Sequence, residues 1–365
     1  MVKASRPAGM AARAATVGAL ERHAGAAGPV SPKSPGSSAS RLLRAVIVGL
    51  LAQAAVMAAP SAWAAGPAPK SVAVIAIVDH PALDAVRDGV RDALKAAGYD
   101  PAKNLKWQFQ SAQGNNATAA QIARKFVGDR PDAIVAISTP AAQAVAAASK
   151  EVPLVYAAVT DPVAAQLVPS TQQGSDTNVT GVSDALPLDR QIELIKKLVP
   201  TAKRIGMVYN PGEANSVVVV KQMQDVLPKS GMSLIEAAAP RTVDVGSAAR
   251  SLIGKADVIY ANTDNNVVAA FESLAKVSND AKIPLIASDT DSVKRGAVAA
   301  LGVNYHDMGV QAGRMVVRIL KGDKPGAIPP ETAGKLALYV SSSAAQKQGV
   351  TLSDAMLKSA AQVIP

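Results

Sequence analysis

From Val72 onward, short runs of Val, Ile, Leu and Ala alternate with longer stretches whose apolar residues recur every three or four positions. A run of four to eight apolar residues bounded by Gly, Pro, Asn or Asp marks a strand buried on both faces, while the wider period marks one face of a helix. The pattern predicts strands at Val72–Val78, Leu105–Gln110, Ala133–Ser138, Leu154–Ala158, Arg204–Tyr209, Ser233–Ala237, Val258–Ala261, Pro284–Ser288, Ala297–Val303 and Leu336–Val340. Helices fill the intervals. Leu83–Ala97 stops at Gly98, Leu188–Val199 at Pro200 and Val217–Ser230 at Gly231, each on a residue that ends helical geometry. Strands alternating with helices predict an α/β fold, its parallel sheets flanked by helices on both faces.

The alternation breaks between Thr160 and Val182, where Asp161-Pro162, Pro169 and the polar run Ser170 to Asn178 intervene. We read a lobe boundary there. The pattern then restarts much as it began: Ile77-Val78-Asp79-His80-Pro81 opens one helix, and Met207-Val208-Tyr209-Asn210-Pro211 opens its counterpart. Each places a polar residue at a strand end and a Pro where a helix is expected to begin, since its fixed φ suits the first helical turn. Two similar lobes joined by short crossing segments close on a ligand by hinge bending.

The first 64 residues follow another pattern. Met1 to Ser40 is a low-complexity stretch of Ala, Gly, Ser, Pro and scattered Arg with no period that could bury a face. Arg41 and Arg44 then precede the run Ala45 to Ala59, whose one polar side chain is Gln53, and Ala62-Trp63-Ala64 supplies small residues two apart. The run falls short of the roughly 20 residues that span a bilayer. These features predict a cleavable signal peptide, with cleavage after Ala64.

Composition adjusts this picture in three ways. Hydrophobic residues make up 49% of the 365 but aromatics only 3%, so the core must be built from Ala, Val, Ile and Leu. Of the 38 basic residues seven lie before position 65, as does one of the 28 acidic residues, so the formal charge of +10 shrinks to an excess of about four. No basic run with interleaved aromatics remains, which argues against a nucleic-acid partner. Cysteine is absent, which excludes disulfides, thiolate nucleophiles and Cys-ligated zinc.

In open parallel sheets, ligands bind beyond the carboxyl ends of the strands, beside helix N-termini with free N–H groups. The predicted strand ends carry Asp79-His80 with Asp84, Gln113 to Asn116, Ser138-Thr139, Thr160-Asp161, Asn210 with Glu213, Asn215 and Ser216, Thr263-Asp264-Asn265, Ser288-Asp289 and Asn304-Tyr305. Taken singly, such residues are also the preferred helix caps. Taken together, neutral donors mixed with carboxylates suit a zwitterion, whose carboxylate takes N–H and O–H donors while its ammonium takes Asp or Glu. Tyr156, Tyr209, Tyr260 and Tyr305 lie near strand ends, where they either pack between lobes or offer a wall to an apolar or aromatic group. Catalytic signatures are missing: there is no HExxH, GxSxG, GxxxxGK[ST] or GxGxxG, and His80 and His306 lack metal-ligand spacing. No catalytic residue, metal site or cofactor is therefore expected. A secreted α/β enzyme acting on a small polar substrate and a periplasmic ligand-sensing module are the competing classes.

Several separated motifs resemble the substrate-binding proteins of ABC transporters, in their tryptophan/tyrosine-type branch. They are Ala76 to Asp84, Ile137-Ser138-Thr139-Pro140, Val159-Thr160-Asp161-Pro162, Val179 to Asp184, Asn210 to Ser216, and Ile286 to Thr290 followed by Gly302 to Tyr305. The similarity spans about Lys70 to Ser341. It implies a two-lobed type I periplasmic-binding-protein fold with the ligand between lobes. The first lobe would comprise residues 70–178 and 297–323, the second 179–296 and 324–365. It also implies an ABC permease and its ATPase as partners, a periplasmic location, and a small-molecule ligand, an amino acid with an aromatic one favoured. A monomer is the simplest form for delivery to a permease. Carried over motif by motif, the ligand-binding residues would be His80, Asp84, Ser138, Thr139, Thr160, Asp161, Asn210, Glu213, Asn215, Ser216, Asp264 and Asp289. Ser138, Thr139 and the Asn215-Ser216 helix start would take the carboxylate, and Asp264 or Asp289 the ammonium.

Overall fold

The computed structural model describes residues 31–32, 69–174 and 176–365. The expected signal peptide and its cleavage after Ala64 lie outside the described residues. Everything below concerns the compact unit Gly66–Pro365.

Two sheets organise this unit. The first contains β1 (Lys70–Ala76), β2 (Leu105–Ser111), β3 (Ala133–Ile137), β4 (Leu154–Val159), β5 (Val179–Ser183) and β11 (Glu331–Thr332), in the order β11-β5-β4-β3-β1-β2. All its pairings are parallel. The second contains β6 (Arg204–Tyr209), β7 (Ser233–Ala238), β8 (Val258–Ala261), β9 (Leu285–Ala287), β10 (Ala299–Gly302), β12 (Ala337–Ser341) and β13 (Gln362–Ile364). Its order is β13-β12-β10-β9-β8-β6-β7, and only β10 and β12 run antiparallel. Central strands such as β3 and β4 are buried along their whole length, which is why they read as unbroken apolar runs. The two α/β lobes expected from the alternation are present.

Their boundaries differ from the expected ones. β5, placed by the sequence reading at the head of the second lobe, completes the first sheet beside β4. β10, expected to return to the first lobe with residues 297–323, lies between β9 and β12 of the second sheet. The helix after it, Tyr305–Leu320, does pack back on the first lobe, against Pro81–Ala96, and β11, expected in the second lobe with residues 324–365, pairs with β5 of the first sheet. The chain therefore passes between sheets at 184–187, at 303–304 and between β11 and β12. The two helices come so close that a Cβ at Gly89 would strike the His306 carbonyl, and one at Gly309 the Val86 carbonyl.

Two local readings also shift. The helix foreseen at Val217–Ser230 spans Ala214–Val226, because Pro228 has no N–H to continue it and a single 3₁₀ turn leads to Gly231 at φ 67°. Pro81 does occupy the first turn of its helix, after His80, but Pro211 lies in a turn and Glu213 precedes the helix instead.

Candidate functional site

The carboxyl ends of both sheets face each other across a cleft, and the side chains that meet there build two adjoining cavities. The inner, narrow one is lined by His80, Ala82, Leu83, Ala158 and Asp184 from the first lobe, by Asn215, Thr263, Asn265, Val268 and Asp289 from the second, and by Tyr305. Beside it lies a chamber of about 420 Å³, which shares Asp184 and Thr263 with the inner cavity. Its other walls include Thr160, Asp161, Leu186, Leu188, Val218, Val219, Tyr260, Asn262 and Ser288.

Asp184 anchors the first-lobe wall. It follows β5 and is 3% exposed, and its carboxylate accepts hydrogen bonds from the Thr160 hydroxyl and the Tyr305 hydroxyl, each at 3.0 Å. Because Thr160 spends its proton on Asp184, the 3.3 Å contact between Thr160 and Thr263 has Thr263 as donor, and it links the lobes. Burial raises the Asp184 carboxyl above its ordinary range.

Asp289 stands opposite, 2% exposed, accepting the Ser292 N–H at 2.9 Å and the Ser292 hydroxyl at 2.6 Å. Burial raises it too. Arg295, the one cation acting on it, is held by Glu272 at 2.7 Å. His80 caps the helix Pro81–Ala96 through a long 3.4 Å bond to the Leu83 N–H, and burial with the Arg295 charge lowers its pKa to about 3. The imidazole is therefore neutral at any ordinary pH.

Second-lobe residues are fixed by a buried network. Glu213 accepts from the Asn265 N–H at 3.2 Å and from the side-chain amides of Asn265 and Asn215. Burial, followed by the charge of Asp264, pushes its carboxyl up to about 7. Asp264 is consumed by structure: it accepts from the Asn210 N–H at 2.7 Å, the Ser216 hydroxyl at 2.6 Å and the Val267 N–H at 3.0 Å.

Of the twelve residues drawn from the sequence, the structure brings His80, Asn215 and Asp289 to the inner cavity and Thr160 and Asp161 to the chamber. Glu213, Asn210, Ser216 and Asp264 lie behind these walls and hold them. Asp84 lines neither cavity and pairs with Arg87 at 2.7 Å, one helical turn on. Ser138 and Thr139 also line neither, yet both hydroxyls are buried without a hydrogen-bond partner at the start of the helix Thr139–Ala148, which meets Ala214–Val226 across the cleft. Ser138 has φ 86° and Ala158 φ 55°, so two neighbouring strand ends hold left-handed backbone without glycine.

Asp184 was missed as a site residue, although it closes the motif Val179 to Asp184. Thr263, Asn265, Ser288 and Tyr305 stood among the strand-end residues without being selected. Among the described residues there is no cluster of metal-binding side chains, and no helix is long and apolar enough to cross a membrane.

Residues 71–364 match the family described as ABC transporter substrate binding protein. A tyrosine-binding protein of Clostridioides difficile (strain R20291) is 41% identical over 271 residues, 74% of this chain and 78% of that one. The crystal structure of an ABC domain from Streptococcus pneumonia in complex with L-Trp is 34% identical, with a TM-score of 0.78, covering 81% of this chain and 100% of that one. The ligand-free, open structure of a substrate-binding protein with adhesive properties from Clostridium difficile is 37% identical and covers 81% of this chain and 99% of that one, yet its TM-score is 0.62.

Proposed function

This chain belongs to the ABC transporter substrate-binding proteins, and from that premise we propose that its cleft captures one amino acid with an aromatic side chain for delivery to a membrane permease and its ATPase. The family binds its substrates and does not transform them. The observation that carries the reading is the pair Asp184 and Asp289, two buried carboxylates on opposite walls of one cavity, neither with a cation of the chain to itself. A buried carboxylate without a charge partner is costly, and a ligand ammonium supplies that partner.

The ligand carboxylate goes to donors instead. Neutral His80 closes the cavity without adding charge, whereas the Ser138 and Thr139 hydroxyls, which line neither cavity, are not assigned to that carboxylate. Asp264, already saturated by three donors, does not take the ammonium; Asp184 joins Asp289 in that role. The tyrosine-binding relative and the L-Trp complex support an aromatic side chain. Export by a signal peptide cleaved after Ala64, a periplasmic location and a monomeric state complete the proposal.

A thermal-shift panel of amino acids, sugars and small organic acids tests it. A ligand at about 100 times its Kd adds about 2.7 kcal/mol of stability, so aromatic amino acids are expected to raise the melting temperature clearly. Shifts confined to sugars or organic acids would refute the amino-acid reading.

A further inference from the structure

Polar contacts between the lobes are sparse. Among the described residues, the 3.3 Å contact of the Thr160 and Thr263 hydroxyls is the one side-chain hydrogen bond that runs across the cleft from the first lobe to the second. Every ion pair among them stays within a single lobe. Whatever polar force holds the two walls together directly is therefore concentrated in this pair.

Each partner is set in place by its own lobe. Thr160 follows β4; its hydroxyl donates to Asp184 at 3.0 Å and its carbonyl accepts the Ser183 hydroxyl at 3.1 Å. Thr263 follows β8; its carbonyl accepts from the Asn215 side-chain amide at 3.0 Å, and the next residue, Asp264, is fixed by three donors. Both side chains are β-branched and so have few rotamers to lose. The bond between them forms with little further loss of freedom, and more of its strength is left to resist separation.

Its position matters as much as its rigidity. Thr263 lines both cavities, Thr160 lines the chamber, and Asp184, which receives the Thr160 proton, lines both. A ligand ammonium held at Asp184 thus lies one residue away from the bond. The bond must break when the lobes part, whereas a ligand entering a parted cleft meets no such bond, so its effect falls on dissociation and spares association.

We propose that Thr263 is a positioning residue that, by donating to Thr160, holds the lobes together over the bound ligand and sets how long the ligand stays. The inference rests on the reading that the cleft captures an aromatic amino acid. Thr263 acts through Thr160 and, behind it, Asp184, and a neutral hydrogen bond at this half-buried place is worth about a three- to tenfold change in rate.

Rates of binding and release of tritiated L-tyrosine and L-tryptophan, the release chased with excess unlabelled ligand, test this on the purified protein. Thr263→Val removes the hydroxyl at nearly constant shape; release is expected to quicken about three- to tenfold while association stays within about twofold. Thr263→Ser, which restores the donor, should restore slow release. On a Thr160→Val background, where the acceptor is gone, Thr263→Val should add no further acceleration. Parental release in Thr263→Val would overturn the inference alone, as would loss confined to association, failure of Thr263→Ser to restore slow release, or full additivity of the two valine substitutions. Binding of neither amino acid by the parent would overturn the underlying reading and the inference with it.

Discussion

The two carboxylates in the inner cavity differ in their support. Asp184 is held by two hydroxyls from its own lobe, while both oxygens of Asp289 also serve the turn at Ser292. If both contact the ammonium, Asp184→Asn and Asp289→Asn should each weaken amino-acid binding by about 2 to 5 kcal/mol, measured by calorimetry. Unchanged affinity in either variant would remove that residue from the ammonium site. Glu213 gives a separate prediction. Its carboxyl is raised from 4.5 to about 7, so the folded protein holds that proton more tightly than the unfolded chain. The resulting stability is fully present below about pH 4.5 and is lost as pH rises through 7. Melting temperatures across that range should fall less steeply in Glu213→Gln than in the parent, and parallel profiles would contradict the assignment. Asp264, Asp184 and Asp289 are shifted in the same direction, so some slope should remain. Residue types at strand ends were enough to bring His80, Asn215, Thr160, Asp161 and Asp289 into view. They could not separate ligand-facing carboxylates from capping ones, since Asp264 and Asp289 both end a strand and both cap the next turn.

At the scale of elements, what escaped the sequence is what depends on distant partners. The segment Val179–Ser183 has too few apolar side chains to read as a strand, yet it is buried throughout. Gly181 leaves room for the Tyr156 ring, and the Thr180 hydroxyl donates to the Ile328 carbonyl at 2.8 Å. Those contacts come from residues 25 positions before and 148 after, and no local pattern reports them. Asp184 was hidden for the same reason, because its place is set by β5. The strands of β-branched and aliphatic residues, by contrast, were legible nearly to their ends, as were the helix stops at Gly98 and Pro200. The returning helix Tyr305–Leu320 supplies a test of element packing. Gly309→Ala drives a methyl group into the Val86 carbonyl, and overpacking of this kind costs about 1 to 3 kcal/mol. A lowered melting temperature with amino-acid affinity retained is expected. No change in melting temperature would mean that the two helices can separate at little cost.

For the whole molecule, three crossings between the sheets allow one lobe to rotate on the other while each keeps its own core. The cleft buries His80, Asp184, Asn215 and Asp289 together, and the Thr160–Thr263 contact joins the lobes. Closing over two buried carboxylates favours a ligand that brings positive charge, and the favourable pairing then stabilises closure. The most direct test is a calorimetric titration of the purified protein with L-tryptophan and L-tyrosine, followed by recovery of the ligand. Saturable binding of one amino acid per chain, with the ligand recovered intact, is the predicted result. Absence of binding by either, or chemical conversion of the ligand, would contradict the account.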